Sequence, residues 1–327
     1  MKLTMTLPRF HLAHLPTRVE ELPRLSAHLG GPRLLIKRDD QTGLAGGGNK
    51  ARKLEYLVAA ALAEGAQTLI TGGARQSNHC RQTAAAAARA GLGCILVLRG
   101  DPPSPGEAGG NILLDRLLGA ELVWTGERPR EEVMTEIFER EKTAGRRPYL
   151  IPVGGSNTLG AAAYAAAIEE FMDQGVRPDR IVFASSSGGT HAGMALGARA
   201  MGYAGQIYGI SVDEEAEALK SLVARLATET AAFLGLPFTF APDDILADDD
   251  YLAGGYAVMG EAEKEAILLF ARYEGILLDP VYTGRAGAGL IGLIREGEFG
   301  RGDTVMFWHT GGQPALFAQV YARQLMR

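Results

Sequence analysis

The sequence predicts an α/β protein built around parallel sheets, and three observations support this prediction. Short apolar runs alternate with alanine- and leucine-rich stretches along most of the 327 residues. The apolar runs are continuous, as expected for strands that helices cover on both faces. The chain is also longer than a typical single domain, so two domains are expected. Together these features indicate doubly wound architecture.

The predicted strands are apolar runs bounded by polar or turn-forming residues. They comprise residues 33–38, 68–72, 94–99, 121–125, 149–153, 181–185, 207–212, 276–279 and 304–309. The predicted helices lie between them and comprise residues 50–64, 78–90, 158–173, 191–201 and 260–273. Ligands of such folds bind beyond the carboxyl ends of the strands, so the turns that follow the strands are the expected ligand-binding segments.

The composition restricts the classes of partner. The formal net charge is −5, the sequence pI is about 5.8 and basic residues are scattered, which argues against nucleic acid or an anionic membrane surface as the main partner. No run approaches the roughly 18 apolar residues of a membrane span, and the N-terminus lacks the apolar core of a signal peptide. Cys80 and Cys94 are the only cysteines, so we expect no disulfide framework and no metal-ligand cysteine pair. His11 and His14 are the only close pair of histidines, and their flanking prolines indicate a surface segment and not a metal site. A cytoplasmic protein with reduced thiols is the resulting expectation.

The first segment that suggests chemistry is a run of three glycines, Gly46–Gly48, followed by Asn49, Lys50 and a helical stretch. Consecutive glycines permit a sharp turn or a close approach of the backbone to a ligand. If Asn49 caps the helix, Lys50 lies in the first turn, where a cation opposes the helix dipole. From these residues alone two interpretations stay open. Lys50 is either a solvated lysine that the helix tolerates or an amine with the lowered pKa that imine-forming lysines require.

A second segment, SSSGGT at residues 185–190, lies between a predicted strand and a predicted helix. Glycines, hydroxyl groups and a helix N-terminus can together bind a phosphate group. No Lys-Ser/Thr pair follows, so the segment is not a nucleotide-triphosphate loop, and it does not match GxGxxG. We therefore predict that this turn binds phosphate, with a purely structural turn as the alternative.

A third segment, Gln76-Ser77-Asn78-His79, precedes an alanine-rich helix. Ser77 and Asn78 both suit helix capping, and that role alone would explain either residue. A helix N-terminus also attracts a carboxylate, so these residues are candidates for binding the α-carboxylate of an amino acid. The GxSxG turn of hydrolase nucleophiles is absent around Ser77, so a Ser-His nucleophile is not predicted.

Two more segments, residues 279–284 and 309–312, place hydroxyl groups after apolar strands. Tyr282 taken singly is compatible with a core tyrosine whose hydroxyl is satisfied. Thr310 before two glycines is compatible with ordinary turn chemistry. Neither residue identifies a reaction by itself.

Taken together and in this order, the segments resemble the fold-type II pyridoxal-phosphate (PLP) enzymes, and most closely the D-cysteine desulfhydrase and 1-aminocyclopropane-1-carboxylate (ACC) deaminase family. The shared motifs are GGGNKARKLE, QSNH, SSGGTHAG, DPVYTG and HTGG, and the similarity runs from about Pro8 to Phe317. The resemblance implies pyridoxal 5′-phosphate as cofactor, bound between two doubly wound three-layer domains, and a homodimer. It also implies a small α/β domain of residues 49–161 set into a large PLP-binding domain of residues 1–48 and 162–327.

The resemblance further implies roles for individual residues. Lys50 matches the lysine that forms an imine with the cofactor, and Asn78 matches the residue that bonds the ring hydroxyl. Ser77 matches the residue that meets the substrate carboxylate, while Tyr256 and Tyr282 match two tyrosines of the substrate pocket. The implied phosphate-binding residues are Ser187, Gly188, Gly189 and Thr190. The candidate catalytic residues are Lys50, Ser77, Tyr256 and Tyr282, and the candidate substrate-binding residues are Gln76, Ser77, Asn78 and His79.

Two positions separate the branches of this family. The ACC deaminases carry Glu and Leu where this sequence has Thr283 and Thr310, as the D-cysteine desulfhydrases do. A carboxylate beside the pyridine nitrogen would hold it protonated and make the ring a strong electron sink, whereas a threonine hydroxyl gives a weaker one. Expelling hydrosulfide should need a weaker sink than opening a cyclopropane. The predicted reaction of the small amino-acid substrate is therefore the conversion of D-cysteine to pyruvate, hydrogen sulfide and ammonia.

Other functions stay open at this point. ACC deaminase or L-cysteate sulfo-lyase activity is the enzymatic alternative, and a catalytically silent PLP-binding or metabolite-sensing protein is the non-enzymatic one. Without the resemblance, a general phosphate-ligand enzyme such as a nucleotide binder would also fit. Gly46, Cys80 and Arg285 depart from the residues expected in relatives, and the first two could alter the shape of the pocket.

Overall fold

The computed structural model describes residues 3–4, 6–104, 108–252 and 254–326. Helices and strands alternate through these residues and build two sheets, one of six strands and one of four. The predicted α/β fold class is confirmed.

Within the described residues there are ten strands: β1 (Val19–Glu21), β2 (Arg33–Lys37), β3 (Thr68–Gly73), β4 (Gly93–Leu98), β5 (Glu121–Trp124), β6 (Pro148–Leu150), β7 (Arg180–Ser185), β8 (Gln206–Ser211), β9 (Leu246–Asp248) and β10 (Thr304–Trp308). The six-stranded sheet has the order β1-β2-β10-β7-β8-β9, and the four-stranded sheet has the order β5-β4-β3-β6. Every strand pair is parallel except β1 with β2. Parallel pairing brings the carboxyl ends of the strands of each sheet to one edge, where a ligand can bind.

The same part of the chain contains eleven α-helices: α1 (Pro23–Leu29), α2 (Lys50–Ala63), α3 (Asn78–Ala90), α4 (Asn111–Leu117), α5 (Arg130–Thr143), α6 (Thr158–Asp173), α7 (Gly189–Met201), α8 (Ala216–Phe233), α9 (Glu261–Glu274), α10 (Thr283–Arg295) and α11 (Gln319–Leu325). All five predicted helices are among them. Capping side chains fix two of the helix starts that matter for the site. Ser77 Oγ accepts a hydrogen bond from Cys80 N at 3.1 Å, and Asn157 caps α6 by accepting from Gly160 N at 2.9 Å.

One predicted strand is absent, and two observed strands were not predicted. Residues 276–279 do not form a strand, and the carbonyl oxygen of Leu277 bonds instead to the His309 ring at 3.1 Å. The adjacent β10 is already paired with β2 on one side and β7 on the other. The sequence analysis also missed β1 and β9, which are three residues each and lie at the two edges of the large sheet.

Each sheet has its own apolar core. The smaller core joins α2 and α3 to the four-stranded sheet through residues such as Leu54, Leu69 and Leu96, all fully buried. In the larger unit α6 and α7 pack closely because Gly193 has no side chain. A Cβ there would lie 2.1 Å from the carbonyl oxygen of Ala161. No helix in the described part of the chain is long and apolar enough to cross a membrane.

The strands of the two sheets come from different segments of the chain. All four strands of the smaller sheet lie between residues 68 and 150, whereas the larger sheet takes its strands from residues 19–37 and 180–308. The domain boundaries at residues 49 and 161 stay a prediction.

Candidate active site

A cavity of about 640 Å³ is bounded by residues that follow β3, β7 and β10. It gathers most of the predicted site residues, namely Lys50, Ser77, Asn78, His79, Ser187, Gly188, Thr190, Tyr256, Tyr282 and Thr310. They come from distant parts of the chain, as expected where the ends of parallel strands meet. Of the remaining candidates, Gly189 begins α7 beside the cavity, while the side chains of Gln76 and Thr283 are engaged elsewhere.

Lys50 is the first residue of α2, and the backbone before it requires glycine. Gly46, Gly47 and Gly48 have φ angles of 85°, 73° and 130°, which an L side chain rarely adopts. A Cβ at Gly47 would lie 1.8 Å from the carbonyl oxygen of Asp40. The three glycines therefore allow the chain to turn tightly and present Lys50 at the wall of the cavity.

The Lys50 amine has no hydrogen-bond or ion-pair partner within the described ranges of the chain, although its side chain lines the cavity. Burial lowers the pKa of Lys50 from its ordinary value of 10.5 to about 8. A larger fraction of the amine is then unprotonated at neutral pH, and this is the form that attacks a carbonyl carbon. The surroundings therefore favour the functional interpretation of Lys50 over that of a solvated lysine.

The turn at residues 185–190 surrounds the N-terminus of α7. Gly188 is left-handed with φ 76°, and Gly189 N donates to Ser156 Oγ at 3.2 Å. Ser187 Oγ lies 2.8 Å from the same Ser156 hydroxyl. Asn49 was expected to cap α2, but its side chain makes no capping hydrogen bond. Its Nδ2 donates instead to Thr190 Oγ1 at 3.1 Å. The glycines, hydroxyl groups and helix N-terminus thus lie together as a phosphate site requires.

A second lysine completes this turn, and the sequence analysis missed it. Lys53 is only 1% exposed, and its Nζ donates to Gly154 O at 3.1 Å and Ser156 Oγ at 3.4 Å. A Cβ at Gly189 would lie 2.9 Å from that Nζ, so the ammonium group lies against the first residue of α7. No carboxylate in the described residues pairs with it. A buried ammonium group without an anion is costly, and a phosphate group bound to this turn would supply the missing negative charge.

The spacing of the two lysines is the signal that could have identified Lys53. Residues three apart lie on the same face of a helix, so Lys50 and Lys53 point toward the same region. Burial, with a further contribution from Lys50, lowers the pKa of Lys53 well below its ordinary value. A bound phosphate would oppose this shift and keep the ammonium group charged.

Substitution of Lys53 by methionine is expected to weaken cofactor binding. A hydrogen bond to a charged group contributes about 1.5–3 kcal/mol, so the dissociation constant should rise roughly 10- to 100-fold. Equilibrium titration of the apoprotein with PLP, followed by fluorescence, measures this directly. Lys142→Met, at an exposed position of α5, serves as the control and should bind the cofactor like the unaltered protein. Equal affinity of Lys53→Met and the unaltered protein for PLP would show that Lys53 does not bind the phosphate group.

The start of α3 supplies the groups that suit a substrate carboxylate. Because Ser77 Oγ accepts from Cys80 N, its own hydroxyl hydrogen stays available to a ligand. Asn78 lines the cavity beside it. Gln76 does not reach this space: its amide nitrogen donates to Gly109 O at 3.0 Å and its amide oxygen accepts from Asn111 N at 2.7 Å.

His79 reaches the cavity as a neutral imidazole. The Thr71 hydroxyl donates to Ile151 O at 2.8 Å, so it accepts at 2.9 Å from His79 Nε2, which carries the hydrogen. The other nitrogen, Nδ1, is buried without a partner in the described residues. Burial, with the nearby charges of Lys50 and Lys53, lowers the pKa of His79 well below its ordinary value. His79 is therefore a hydrogen-bond acceptor in this wall, not a cation.

Tyr256 and Tyr282 form a pair, with their hydroxyl oxygens 2.6 Å apart. Burial raises the pKa of Tyr256 to about 12 and moves that of Tyr282 well above its ordinary value, so both hydroxyls stay protonated at neutral pH. Arg285 supports the segment that carries Tyr256, since its Nη2 donates to Gly255 O at 3.1 Å and Val258 O at 3.0 Å. The fully buried Arg285 guanidinium also pairs with Glu263 at 2.9 Å, which gives this departure from the family pattern a structural role.

The two threonines have different surroundings. Thr310 lines the cavity, and its hydroxyl makes no hydrogen bond to a residue that the structure describes. Thr283 is fully buried, and its hydroxyl accepts from Asp279 N at 2.8 Å and donates to Asp279 Oδ1 at 2.8 Å. Thr310 is therefore the one of the two whose hydroxyl is free to meet a ligand.

The other departures lie around the site. Cys80 lies in the first turn of α3 and is fully buried, and burial raises its pKa to about 12, so it remains a protonated thiol. A Cβ at Gly46 would lie 3.5 Å from Pro314, which is an ordinary contact distance, so space is available. A larger residue is disfavoured at Gly46 by the left-handed φ of 85°. Neither residue supplies a reactive group.

Comparison with known proteins agrees with this site. Residues 11–311 match the family described as pyridoxal-phosphate dependent enzyme. The chain belongs to this family. It is 46% identical over 320 residues to the D-cysteine desulfhydrase of Klebsiella pneumoniae (strain 342), covering 95% of this chain and 96% of that one. It is 45% identical over 319 residues to the D-cysteine desulfhydrase of Salmonella typhi, with the same coverage.

Solved structures show the same relationship. A crystal structure of an ACC deaminase homologue superimposes with a TM-score of 0.90 at 40% identity, covering 99% of this chain and 97% of the other. Threonine deaminase isoform 2 from Solanum lycopersicum, at 19% identity and a TM-score of 0.68, shares the fold, with 96% and 83% of the two chains covered. The fold-type II assignment and the PLP cofactor are therefore confirmed. The Lys50 amine lines the cavity, and the Lys53 amine lies against Gly189 and Ser156 behind the turn, with no carboxylate partner among the described residues. These two amines fit the aldehyde and phosphate groups of this cofactor.

Proposed function

We propose that this enzyme converts D-cysteine to pyruvate, hydrogen sulfide and ammonia by α,β-elimination. The observation that carries the proposal is the cavity in which the Lys50 amine, the turn at residues 185–190 and the protonated Tyr256–Tyr282 pair lie together, with Thr310 after β10. Similarity to D-cysteine desulfhydrases over 95% of the chain supports it. The overall reaction balances with one water, since D-cysteine and water give pyruvate, hydrogen sulfide and ammonia.

The residues of the cavity would divide the work as follows. Lys50 would hold the cofactor covalently, Asn78 would bond the ring hydroxyl, and Lys53 with the turn at residues 187–190 would hold the phosphate. Bound PLP supplies an electron sink for the negative charge that develops when the α-proton leaves. Ser77 and the N-terminus of α3 bind the substrate carboxylate and orient the α-carbon. The Lys50 amine would remove the α-proton of the substrate as general base.

The tyrosine pair is placed to assist the leaving group. Both hydroxyls are protonated at neutral pH, so one of them can donate a hydrogen bond to sulfur as the carbon–sulfur bond breaks and hydrosulfide leaves. The 2.6 Å contact lets the second tyrosine hold the hydroxyl of the first in place. Aminoacrylate then leaves the site and is hydrolysed to pyruvate and ammonia.

The charges around the cavity favour a thiol over a sulfonate. Arg99 and Arg130 line the side near the end of β3, where the substrate carboxylate is expected. Asp213 also lines the cavity, accepting from Ser186 Oγ at 2.9 Å, and its charge acts on both tyrosines. A carboxylate beside the leaving group disfavours an anionic sulfonate. This arrangement supports D-cysteine over L-cysteate.

The proposal is tested by measuring sulfide and pyruvate from D-cysteine with the purified, PLP-saturated enzyme, beside L-cysteine, L-cysteate and ACC. Equimolar sulfide and pyruvate with a strong preference for the D isomer is the expected result. Formation of sulfite from L-cysteate or of oxobutyrate from ACC, without sulfide from D-cysteine, would assign the enzyme to another branch of the family. Bound PLP with no turnover of any of the four would identify a silent binding protein.

The double variant Thr283→Glu with Thr310→Leu is expected to slow sulfide release from D-cysteine by about ten-fold, equivalent to roughly 1.4 kcal/mol in the barrier. The reason is that Thr310→Leu removes a hydroxyl that lines the cavity, and Thr283→Glu introduces a second buried carboxylate beside Asp279. The added negative charge next to the site changes the electron sink. Initial rates of sulfide formation give the measurement, and Thr310→Ser, which keeps the hydroxyl, is the matched control. Unchanged sulfide release by a folded, PLP-bound double variant would remove this basis for choosing the branch.

We also propose that the enzyme works as a cytoplasmic homodimer of two-domain subunits, divided at residues 49 and 161. Both cysteines are buried and unpaired, which suits a reducing compartment. Light scattering coupled to gel filtration measures the subunit number directly. A monomer under conditions of full activity would contradict the dimer.

A further inference from the structure

Arg81 is a fully buried arginine behind the wall of the cavity. Its guanidinium forms no salt bridge within the part of the chain that the structure describes. Instead, Nη1 donates to Asn78 Oδ1 at 2.8 Å and Asn111 Oδ1 at 2.5 Å, and Nη2 donates to Gly47 O at 2.9 Å. One side chain thus contacts the start of α3, the start of α4 and the glycines that precede Lys50.

These contacts determine how the Asn78 amide points. Its oxygen accepts from Arg81 and also from Asn111 Nδ2 at 3.0 Å. Arginine has donors only, so the amide cannot be reversed without placing its NH₂ against the guanidinium. The Asn78 NH₂ has no partner in the described residues, and the side chain lines the cavity. Its two hydrogens are therefore left to a ligand.

Asn111 is held just as firmly. Its Nδ2 donates to Gln76 O at 2.8 Å, and its backbone N donates to Gln76 Oε1 at 2.7 Å. This explains why the Gln76 side chain does not reach the cavity. Gln76 fixes Asn111, which with Arg81 fixes Asn78.

The Arg81 guanidinium also places a positive charge beside the Asn78 amide. Burial lowers the pKa of Arg81 to about 10, with Asp115 and Asp279 acting in the opposite direction, so the group is protonated at neutral pH. Neither Asp115 nor Asp279 forms a salt bridge with Arg81 in the described residues, and burial raises the pKa of Asp115 to about 7, so part of this carboxyl group is uncharged at neutral pH. A cation behind an amide strengthens the N–H on its far side as a donor, because hydrogen bonds in a chain polarise one another.

We propose that Arg81, held by Asn111, is a positioning residue that aims the Asn78 amide at the ring hydroxyl of the cofactor and favours the anionic form of that oxygen. The proposal rests on the role given to Asn78 under the proposed function, but not on the identity of the substrate. The link from Arg81 to Gly47 adds a second effect, since it steadies the turn that presents Lys50.

The test uses the visible absorbance of the holoenzyme and its affinity for PLP, both without substrate. Arg81→Met is expected to move part of the absorbance from the visible to the near-ultraviolet band, as the ring oxygen becomes protonated. It should also raise the dissociation constant for PLP roughly ten-fold. Arg81→Lys, which keeps the charge but loses the forked geometry, should fall between Arg81→Met and the unaltered enzyme.

Two further variants separate positioning from simple loss of stability. Asn111→Ala keeps Arg81 and should shift the absorbance in the same direction by a smaller amount. Leu96→Ala removes a fully buried side chain from the same core and should destabilise the fold while leaving the absorbance bands unchanged. Unaltered bands and affinity in both Arg81→Met and Asn111→Ala would overturn the proposal, and if Arg81→Met does not fold, Arg81→Lys and Asn111→Ala decide. Since no substrate is used, failure of the D-cysteine assay leaves this result interpretable.

Discussion

Replacement of Lys50 by alanine is expected to lower pyruvate formation from D-cysteine by on the order of 10⁴-fold, because the change removes the group that we propose as both the cofactor attachment and the general base. The nearest other amine is Lys53, and its Nζ is bonded to Gly154 O and Ser156 Oγ. It cannot replace Lys50 without leaving the phosphate turn. Coupled detection of pyruvate and direct detection of sulfide both measure the loss.

The Lys50→Ala enzyme should also lose the visible absorbance of lysine-bound PLP while still binding the cofactor through the phosphate turn. Lys50→Arg is the informative companion, since it keeps a positive charge but offers no amine that attacks an aldehyde. It should be as inactive as Lys50→Ala. Lys142→Ala, at an exposed position, should retain full activity. Full turnover by Lys50→Ala would overturn the proposed mechanism.

The parts of the site that sequence analysis predicted are those in which function leaves a local pattern. Three glycines before Lys50 and the SSSGGT turn are backbone requirements, and a backbone requirement appears directly as residue type. The location of these turns after apolar strands then implied that they meet, because the carboxyl ends of parallel strands share an edge. Thr310 and the two tyrosines were identified through the family resemblance, since each alone is an ordinary residue.

The parts that were missed depend on contacts between distant segments. Lys53 follows Lys50 by three residues, which indicates a shared helix face, but its contacts with Gly154, Ser156 and the N-terminus of α7 are not visible in the sequence. Gln76 lies in the same motif as Ser77, yet its amide bonds to Gly109 and Asn111, more than thirty positions away. Thr283 follows Tyr282 directly, but its hydroxyl is used by Asp279. In each case the side chain's partner could not be known from its neighbours in the sequence.

The prediction of the fold also succeeded where a long local pattern exists and failed where it does not. Long apolar or alanine-rich segments such as α3 and β8 were predicted nearly to the residue, because burial on both sides demands them. The short edge strands β1 and β9 have too few residues for any periodicity to be visible. Residues 276–279 have the composition of a strand, but they lie at the end of the sheet, where the backbone bonds to His309 instead of a neighbouring strand.

Asp39 is a buried carboxylate whose loss should destabilise the fold strongly. It follows β2 and is fully buried, and its two oxygens accept from Arg52 at 2.8 and 2.9 Å. Further donors are the side chains of Thr17, Tyr164 and Trp308. These contacts tie β2 and β10 of the large sheet to α2 and α6. Asp39 thus helps to hold α2, which presents Lys50, against the strand that leads to Thr310.

Asp39→Asn is expected to lower the free energy of unfolding at pH 7 by roughly 3–5 kcal/mol, as when one partner of a buried ion pair is removed. Chemical denaturation followed by circular dichroism gives the value. Glu136→Gln is the matched control, because this carboxylate pairs with Arg128 on the surface, with side chains 61% and 51% exposed, and should change stability little. A change in Asp39→Asn no larger than that of the control would contradict the structural role.

The effect of Asp39 should also depend on pH in a defined direction. Burial alone would raise the pKa of this carboxyl group, but Arg52, Lys37 and the Tyr164 hydroxyl outweigh it and lower the pKa well below its ordinary value of 3.8. A carboxylate with a lowered pKa in the folded state stabilises the protein above its unfolded-state pKa, and this contribution is lost as the pH falls below it. The stability difference between the unaltered protein and Asp39→Asn should therefore be constant from pH 7 to about pH 5 and narrow below about pH 4. A difference that stays constant down to the acid transition would show that the geometry of the hydrogen bonds, and not the charge of Asp39, holds β2 to α2.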